Sequence, residues 1–288
     1  MIWNLGSINI DNFYEVPHLP APGETLAAVS FGFGLGGKGA NMSVAAARAA
    51  ARISHIGAIG PEGQWTVERL MEYGVDTPHI SQIEIPTGHA NIVVDSSGEN
   101  NIVLFQGANV MLTDAIIGSA LSAASTGDFL LMQNETNGQE YASEIAHSLG
   151  LHVAYAAAPF DAEAIGRLLG RIDLLVLNEI EAAQLETATA KSVGTLGVPD
   201  VLVTLGAQGC KWVSNKGEKR FDAYPAEAVD TTGAGDTFTG YLVAGLDRGL
   251  NMEAAIDLAL KAGALMVTRR GTADVIPDLK EIQDHFGT

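Results

Sequence analysis

The chain has 288 residues, 47% hydrophobic and 17% charged, enough apolar material for a sizeable core and too little charge for a disordered polymer. Its 34 acidic residues against 16 basic ones give a net charge of -18, and no Lys/Arg cluster exceeds a pair, which excludes a general nucleic-acid binder. The single cysteine, Cys210, excludes an intrachain disulfide and a thiolate zinc cluster, and no apolar run approaches the ~20 residues of a membrane helix.

The chain opens with an apolar run at 2–8, without the basic start and long apolar stretch of a secretory signal, so a reducing, cytoplasmic compartment is expected. Residues 11–35 are rich in Pro and Gly, with strand-like character at 25–31. A helical pattern at 41–51 leads to a strand at 53–59, followed by a helix at 66–73. Residues 90–95 and 101–105 read as a hairpin around a polar turn. Together with 11–35 they could form a small sheet covering a site, or two solvated loops; the pattern leaves both open. Strands at 129–133, 152–156, 174–177 and 201–205 alternate with helices at 138–149 and 161–169. The last third turns helical, with striped segments at 236–247 and 252–267. Continuous apolar strands in a βαβ rhythm predict a parallel sheet between helices.

The strongest segment is Asp230-Thr231-Thr232-Gly233-Ala234-Gly235-Asp236, which runs into an apolar-striped helix. Small residues there let successive backbone N–H groups point into one concavity, a geometry that binds anions. Asp236 could simply cap the helix. Beside a bound phosphate it is also placed to take a proton from an attacking hydroxyl, and the length of the D-T-x-G-A-G-D pattern favours that role.

A second segment, GGKGAN at 36–41, overlaps two false matches. Residues 32–37 fit G-x-G-x-x-G, but the strand at 53–59 ends in Gly60-Pro61 without the acidic residue of a dinucleotide site. Residues 32–38 fit G-x-x-x-x-G-K, but Gly39 replaces the metal-binding Ser or Thr. What survives is a glycine pair with Lys38 and Asn41 at a helix start, suited to a polyol or a phosphate. Asn178 and Glu181 follow a strand end, where ligands bind parallel sheets, and could orient waters on Mg²⁺. Taken alone, a plain helix start is the simpler account of that pair. Asn9 and Asp11 after the first strand, and Glu135 after FLLMQ, are weaker signals of the same kind. The seven histidines show no metal-binding spacing.

Together these segments resemble the ribokinase-like (PfkB-type) carbohydrate kinase family over nearly the whole chain. GGKGAN at 36–41 and DTTGAGDTFTGYL at 230–242 stand in order, with TGHANIVVDSSGENNIVLFQGAN at 87–109, NEIE at 178–181 and VTLGAQG at 203–209 between them. The resemblance implies one domain over 1–288, a doubly wound, mainly parallel α/β sheet flanked by helices. It also implies a small antiparallel β lid from about 11–35 and 86–106 that serves as a homodimer interface. The implied activity is transfer of the γ-phosphate of ATP, with Mg²⁺, to a primary hydroxyl of a small sugar. Ribose is the first choice; another pentose, fructose, a sugar acid or a nucleoside are alternatives.

By that likeness Asp236 is the catalytic base, and the amides of Gly233, Ala234, Gly235 and Asp236 form the anion hole. Asn9, Asp11, Gly37, Lys38, Asn41 and Glu135 contact the sugar. Asn178 and Glu181 serve the Mg-ATP phosphates, while Thr204, Gly206 and Gly235 line the nucleotide site. The ribokinase branch also binds a monovalent cation, K⁺, on a loop matched by Asp230, Thr232, Gly271 and the backbone carbonyl of Arg269. Val275 stands where that loop has Ser. Two rivals are a nicotinamide-dependent oxidoreductase built on 32–37 and a catalytically idle sugar or nucleotide sensor.

Overall fold

The computed structural model of the chain describes residues 1–287. The first apolar run stops early: β1 (Ile2–Leu5) ends at Gly6, and β2 (Asn9–Val16) and β3 (Ser30–Gly36) project away from the main body. α1 (Lys38–Arg48) returns the chain to β4 (Ile53–Ile59), and α2 (Gln64–Glu72) leads to β5 (Asp76–Gln82). A hairpin follows, β6 (Gly88–Asp95) and β7 (Asn100–Phe105), its turn tied by Asp95 Oδ1 accepting from the amides of Ser97 at 2.8 Å and Glu99 at 3.1 Å.

The βαβ rhythm then resumes. α3 (Asp114–Leu121) precedes β8 (Phe129–Met132), and α4 (Gln139–Leu149) precedes β9 (His152–Ala156). α5 (Ala162–Leu168), started by Asp161 accepting from two backbone amides, leads to β10 (Leu174–Asn178). α6 (Glu179–Thr189) leads to β11 (Asp200–Thr204). The hairpin β12 (Cys210–Ser214) and β13 (Gly217–Phe221) comes before the helices α7 (Ala234–Asp247), α8 (Met252–Met266) and α9 (Leu279–Phe286).

The main sheet has nine strands in the order β13-β12-β11-β10-β9-β8-β1-β4-β5. Every pair from β11 to β5 is parallel; the pairs β11–β12 and β12–β13 are antiparallel, so β12 alone runs against the other strands. One apolar cluster, including Met42, Val44, Leu131, Phe238 and Ile256, fills one face; a second, including Leu5, Ile117, Leu130, Tyr155 and Leu175, fills the other. The chain winds outward from β1 in both directions, so the order reverses between β1 and β8. A crevice at the carboxyl ends of strands is expected at such a switch point.

β3, β2, β6 and β7 form a separate four-stranded sheet in that order. Its two hairpin pairs, β2 with β3 and β6 with β7, are antiparallel, and the pair that joins them, β2 with β6, is parallel. Two local expectations are corrected, and one rejected motif is placed. The strand expected at 25–31 forms instead at Ser30–Gly36, because pairing with β2 selects the segment in register and Pro20, Pro22 and Gly23 hold the preceding stretch in turns. The G-x-G-x-x-G match therefore lies largely in an edge strand and not in a strand-to-helix turn. The last third is helical only from Ala234 onward; β11, β12 and β13 precede that point.

Candidate active site

The start of α1 is pressed against the turn after β1. A Cβ on Gly39 would stand 2.3 Å from Ser7 N and 2.4 Å from Gly6 Cα, so only glycine permits this approach. Beneath the turn lies a buried polar network. Asn4 Nδ2 donates to the Gly39 carbonyl at 2.7 Å and to Ser43 Oγ at 2.8 Å. Ser43 Oγ meets His55 Nδ1 at 2.8 Å, and His55 Nε2 meets the Gly6 carbonyl at 3.0 Å. Burial lowers the His55 pKa to about 4, so the ring is neutral, with Nε2–H donating to Gly6 and Nδ1 accepting from Ser43.

Ser7 then holds Glu135. Its hydroxyl donates to Glu135 Oε2 at 2.6 Å, the Lys38 backbone amide donates to the same oxygen at 3.0 Å, and Lys38 Nζ lies 3.9 Å from Oε1. Asn109 fixes the neighbouring strand: its Oδ1 accepts from Ile8 N at 2.9 Å and its Nδ2 donates to Asn9 Oδ1 at 2.8 Å. Asp11, on β2 with its side chain 8% exposed, packs its carboxylate onto Gly36 of β3.

Asp236 lies in the first turn of α7, 8% exposed, with Oδ2 accepting from Asn41 Nδ2 at 2.8 Å. Gly233 before it is left-handed, with φ 75°, and its carbonyl accepts from Thr237 N at 2.8 Å. The Ala234 amide is spent on the Thr231 carbonyl at 3.2 Å, whereas the amides of Gly233, Gly235 and Asp236 have no acceptor among the described residues. Three open amides at a helix start are an anion site.

The charges are tightly coupled. Burial raises the Asp236 pKa, Lys38 and the Asn41 hydrogen bond oppose that, and Glu135 adds to it. Asp11 is pushed up to about 7 by burial, then by Glu135 and Asp236, with Lys38 opposing. Lys38 is raised, mostly by Asp236, against the opposing effect of its burial. One ammonium thus serves four carboxylates, Asp11 on β2, Glu135 beyond β8, Glu181 at the start of α6 and Asp236 on α7.

Asn178 and Glu181 form a reciprocal capping box at the start of α6, each side chain accepting from the other's backbone amide at 2.8 Å. The helix-start account of this pair is therefore realised in the fold. It leaves Asn178 Nδ2 and Glu181 Oε1 without a protein partner among the described residues, and Glu181 is near enough to sense Lys38 and Asp236. Thr204 ends β11, half-buried, and Gly206 opens an exposed turn beyond it. Asp230 accepts from the amides of Thr232 at 2.9 Å and Gly271 at 3.2 Å. The Arg269 side chain turns to the Val275 carbonyl at 3.2 Å and to Glu281 at 2.9 Å. Cys210 is buried with its thiol pushed up to about 12, as an inert core residue.

Two features escaped the sequence reading. Ser7 sits in the opening apolar run and Asn109 ends the quoted 87–109 segment, but their roles depend on partners more than a hundred positions away. Asn9 and Asp11 belong to the outlying sheet and not to the end of a core strand.

A buried carboxylate beside open amides at a helix start, on a doubly wound sheet, is an arrangement suited to phosphoryl transfer. The comparisons agree. The model of the pfkB family of carbohydrate kinases matches residues 1–279. A ribokinase of Haemophilus influenzae is 38% identical over 96% of this chain and 95% of its own, and one of Staphylococcus aureus is 36% identical over 96% and 97%. The crystal structure of a ribokinase from Thermotoga maritima superposes with a TM-score of 0.90 at 31% identity, covering 100% of this chain and 99% of that one. The chain belongs to the pfkB family of carbohydrate kinases and is an ATP-dependent phosphotransferase acting on a sugar hydroxyl.

Proposed function

We propose that this kinase phosphorylates a primary hydroxyl of ribose, with Asp236 as the general base. The observation that carries the reading is the Asp236 carboxylate, buried at the open-amide start of α7. Asn41 holds one of its oxygens and leaves the other free. The sugar oxygen attacks the γ-phosphorus, its proton passes to Asp236 Oδ1, and the bond to the bridging oxygen breaks to release ADP. Burial makes Asp236 a stronger base than an exposed aspartate, and Lys38 keeps it from holding its proton before the sugar arrives. The open amides of Gly233, Gly235 and Asp236 and the Lys38 ammonium take up charge on the transferring phosphoryl group, while the Ala234 amide, expected in the anion hole, is already spent on Thr231.

Asp11, Asn9, Glu135 and the Gly37–Lys38 backbone present acceptors and donors suited to a small polyol, and they contain no second cation for a phosphorylated sugar. Asn178 Nδ2 and Glu181 Oε1, left free by the capping box, would hold Mg²⁺ through waters, and Thr204 and Gly206 would line the nucleotide. Among the described residues no group of three His, Cys, Asp or Glu could by itself enclose a metal. When bound, Mg²⁺ neutralises the triphosphate. Asp230, Thr232, Gly271 and the Arg269 carbonyl form the loop for K⁺, with Val275 beside it.

The test is ADP release from Mg-ATP against ribose, other pentoses, fructose, sugar acids and nucleosides, with and without K⁺. Ribose giving the highest kcat/KM supports the reading; turnover on another class alone replaces the substrate, and silence on all of them removes the activity.

Asp11 gives this reading a pH signature. Its carboxyl is protonated below about pH 7 and ionised above it. The ionised form is the better acceptor for sugar hydroxyls, so kcat/KM for ribose is expected to rise as pH passes through 7. Asp11→Asn should flatten that limb; a limb of unchanged shape in the variant removes Asp11 from the contact.

The four-stranded sheet is the lid of this site, closing over the sugar to keep water from the γ-phosphate. It exposes Phe31, Phe33, Ile102, Val103, Leu104 and Phe105. We assign this surface to a homodimer contact, and Val103→Asp should halve the mass seen in sedimentation. A wild-type monomer at micromolar concentration excludes the contact. No helix among the described residues is long and apolar enough to cross a membrane, and one buried free thiol suits the reducing cytoplasm.

A further inference from the structure

β3 is an edge strand of its sheet, so one row of its carbonyls has no strand partner. Leu35 on that strand is 2% exposed and pairs with Ile10, midway between Asn9 and Asp11. Its carbonyl is met from the far end of the chain: Thr272 Oγ1 donates to it at 3.0 Å, a buried bond across 237 positions. Among the described residues this is the one hydrogen bond between β3 and the loop after α8.

The same threonine touches the other half of the site. Its Cα lies 3.9 Å from the place a Cβ on Gly233 would take, against the residue that opens the start of α7. The preceding residue, Gly271, donates its amide to Asp230 Oδ2, and Asp230 Oδ1 accepts from Thr232. The outer side of the loop is fixed to the body. Arg69 Nη2 reaches Asp274 Oδ1 at 3.2 Å, the Tyr73 hydroxyl donates to the same oxygen, and Arg48 donates to the Ile276 carbonyl. The loop is held to the body on its outer side, and Thr272 makes its one hydrogen bond to β3 among the described residues.

We propose that Thr272 is a positioning residue that couples the sugar half of the site to the phosphate half. A sugar on Asn9 and Asp11 fixes β2 and β3, and through Leu35 and Thr272 it fixes the approach of Gly233 and the open amides. Nucleotide on those amides fixes the same contact from the other side. Such coupling is reciprocal, and its strength is read as a ratio of affinities. An unmet buried carbonyl at Leu35 is the cost of removing the hydroxyl.

The inference rests on the sugar and nucleotide reading above. The experiment is calorimetric titration of ribose into the protein, with and without a non-hydrolysable ATP analogue and Mg²⁺, for wild type, Thr272→Val and Thr272→Ser. The analogue should tighten ribose binding by roughly fivefold or more in wild type and Thr272→Ser, and by less than about twofold in Thr272→Val. Thr272→Ala gives the same comparison if the valine does not fold. Full enhancement in the variants lacking the hydroxyl, or none in wild type that binds both ligands, overturns the coupling while leaving the kinase reading intact. Wild type that binds no ribose overturns the sugar reading first.

Discussion

Asp236→Asn is expected to lower kcat by about 10²–10⁴-fold, the usual contribution of a positioned general base. The substitution is nearly isosteric, and an asparagine carbonyl can still accept from Asn41 Nδ2, which now bonds Oδ2 at 2.8 Å. What is lost is the ability to take the proton of the attacking hydroxyl. Folding should survive, because the variant removes a charge whose pKa burial has already raised. The sign of that effect is fixed: a carboxyl with a raised folded pKa destabilises the protein more as pH rises, so the variant's thermal midpoint should compare best with wild type at high pH. Turnover close to wild type in a folded Asp236→Asn would assign the proton to another acceptor and leave Asp236 only as the partner of Asn41, since its side chain does not cap α7.

Gly36→Ala is expected to cost about 10²-fold in kcat/KM for the sugar, the scale of a misplacement of roughly an ångström in a positioned site. The added methyl would stand 1.9 Å from Asp11 Oδ2 and 2.2 Å from its Cγ, so the carboxylate must swing out of its pocket. The sugar KM should rise more than the ATP KM, which moves only as far as the two halves are coupled, since the proposed nucleotide contacts lie across the crevice on β10, α6, β11 and α7. The kinetics therefore separate this effect from unfolding, which would reduce both substrates' parameters by loss of active protein. An unchanged sugar KM would mean that Asp11 does not touch the sugar from this position.

The local alphabet of this fold was legible. The apolar runs at 53–59 and 152–156 are strands over those same residues, and the helix patterns near 66–73, 138–149 and 252–267 lie within two residues of α2, α4 and α8. These elements announce themselves because side-chain periodicity is a property of adjacent residues. The edge strand β5, with sequence DTPHISQ, and the charged β13, GEKRF, carry no such signal; pairing makes them strands. The start of the outlying sheet was misplaced for the same reason. Register with β2, rather than the character of residues 25–31, decides where β3 begins.

The sequence by itself determined the chemistry on offer: a glycine-lined helix start ending in Asp236, a second glycine turn bearing Lys38 and Asn41, and the order in which they occur. Those features are contiguous, so their meaning does not wait for folding. Which groups face one another is settled by packing. Asp11, Glu135 and Asp236 come together around a single ammonium, and their mutual repulsion and shared burial set their affinity for protons. Ser7 on Glu135, Asn109 on Asn9 and Thr272 on Leu35 are likewise contacts across a hundred or more positions, each holding a buried polar atom. Burial and long-range pairing are properties of the packed chain, and no local window of sequence contains them.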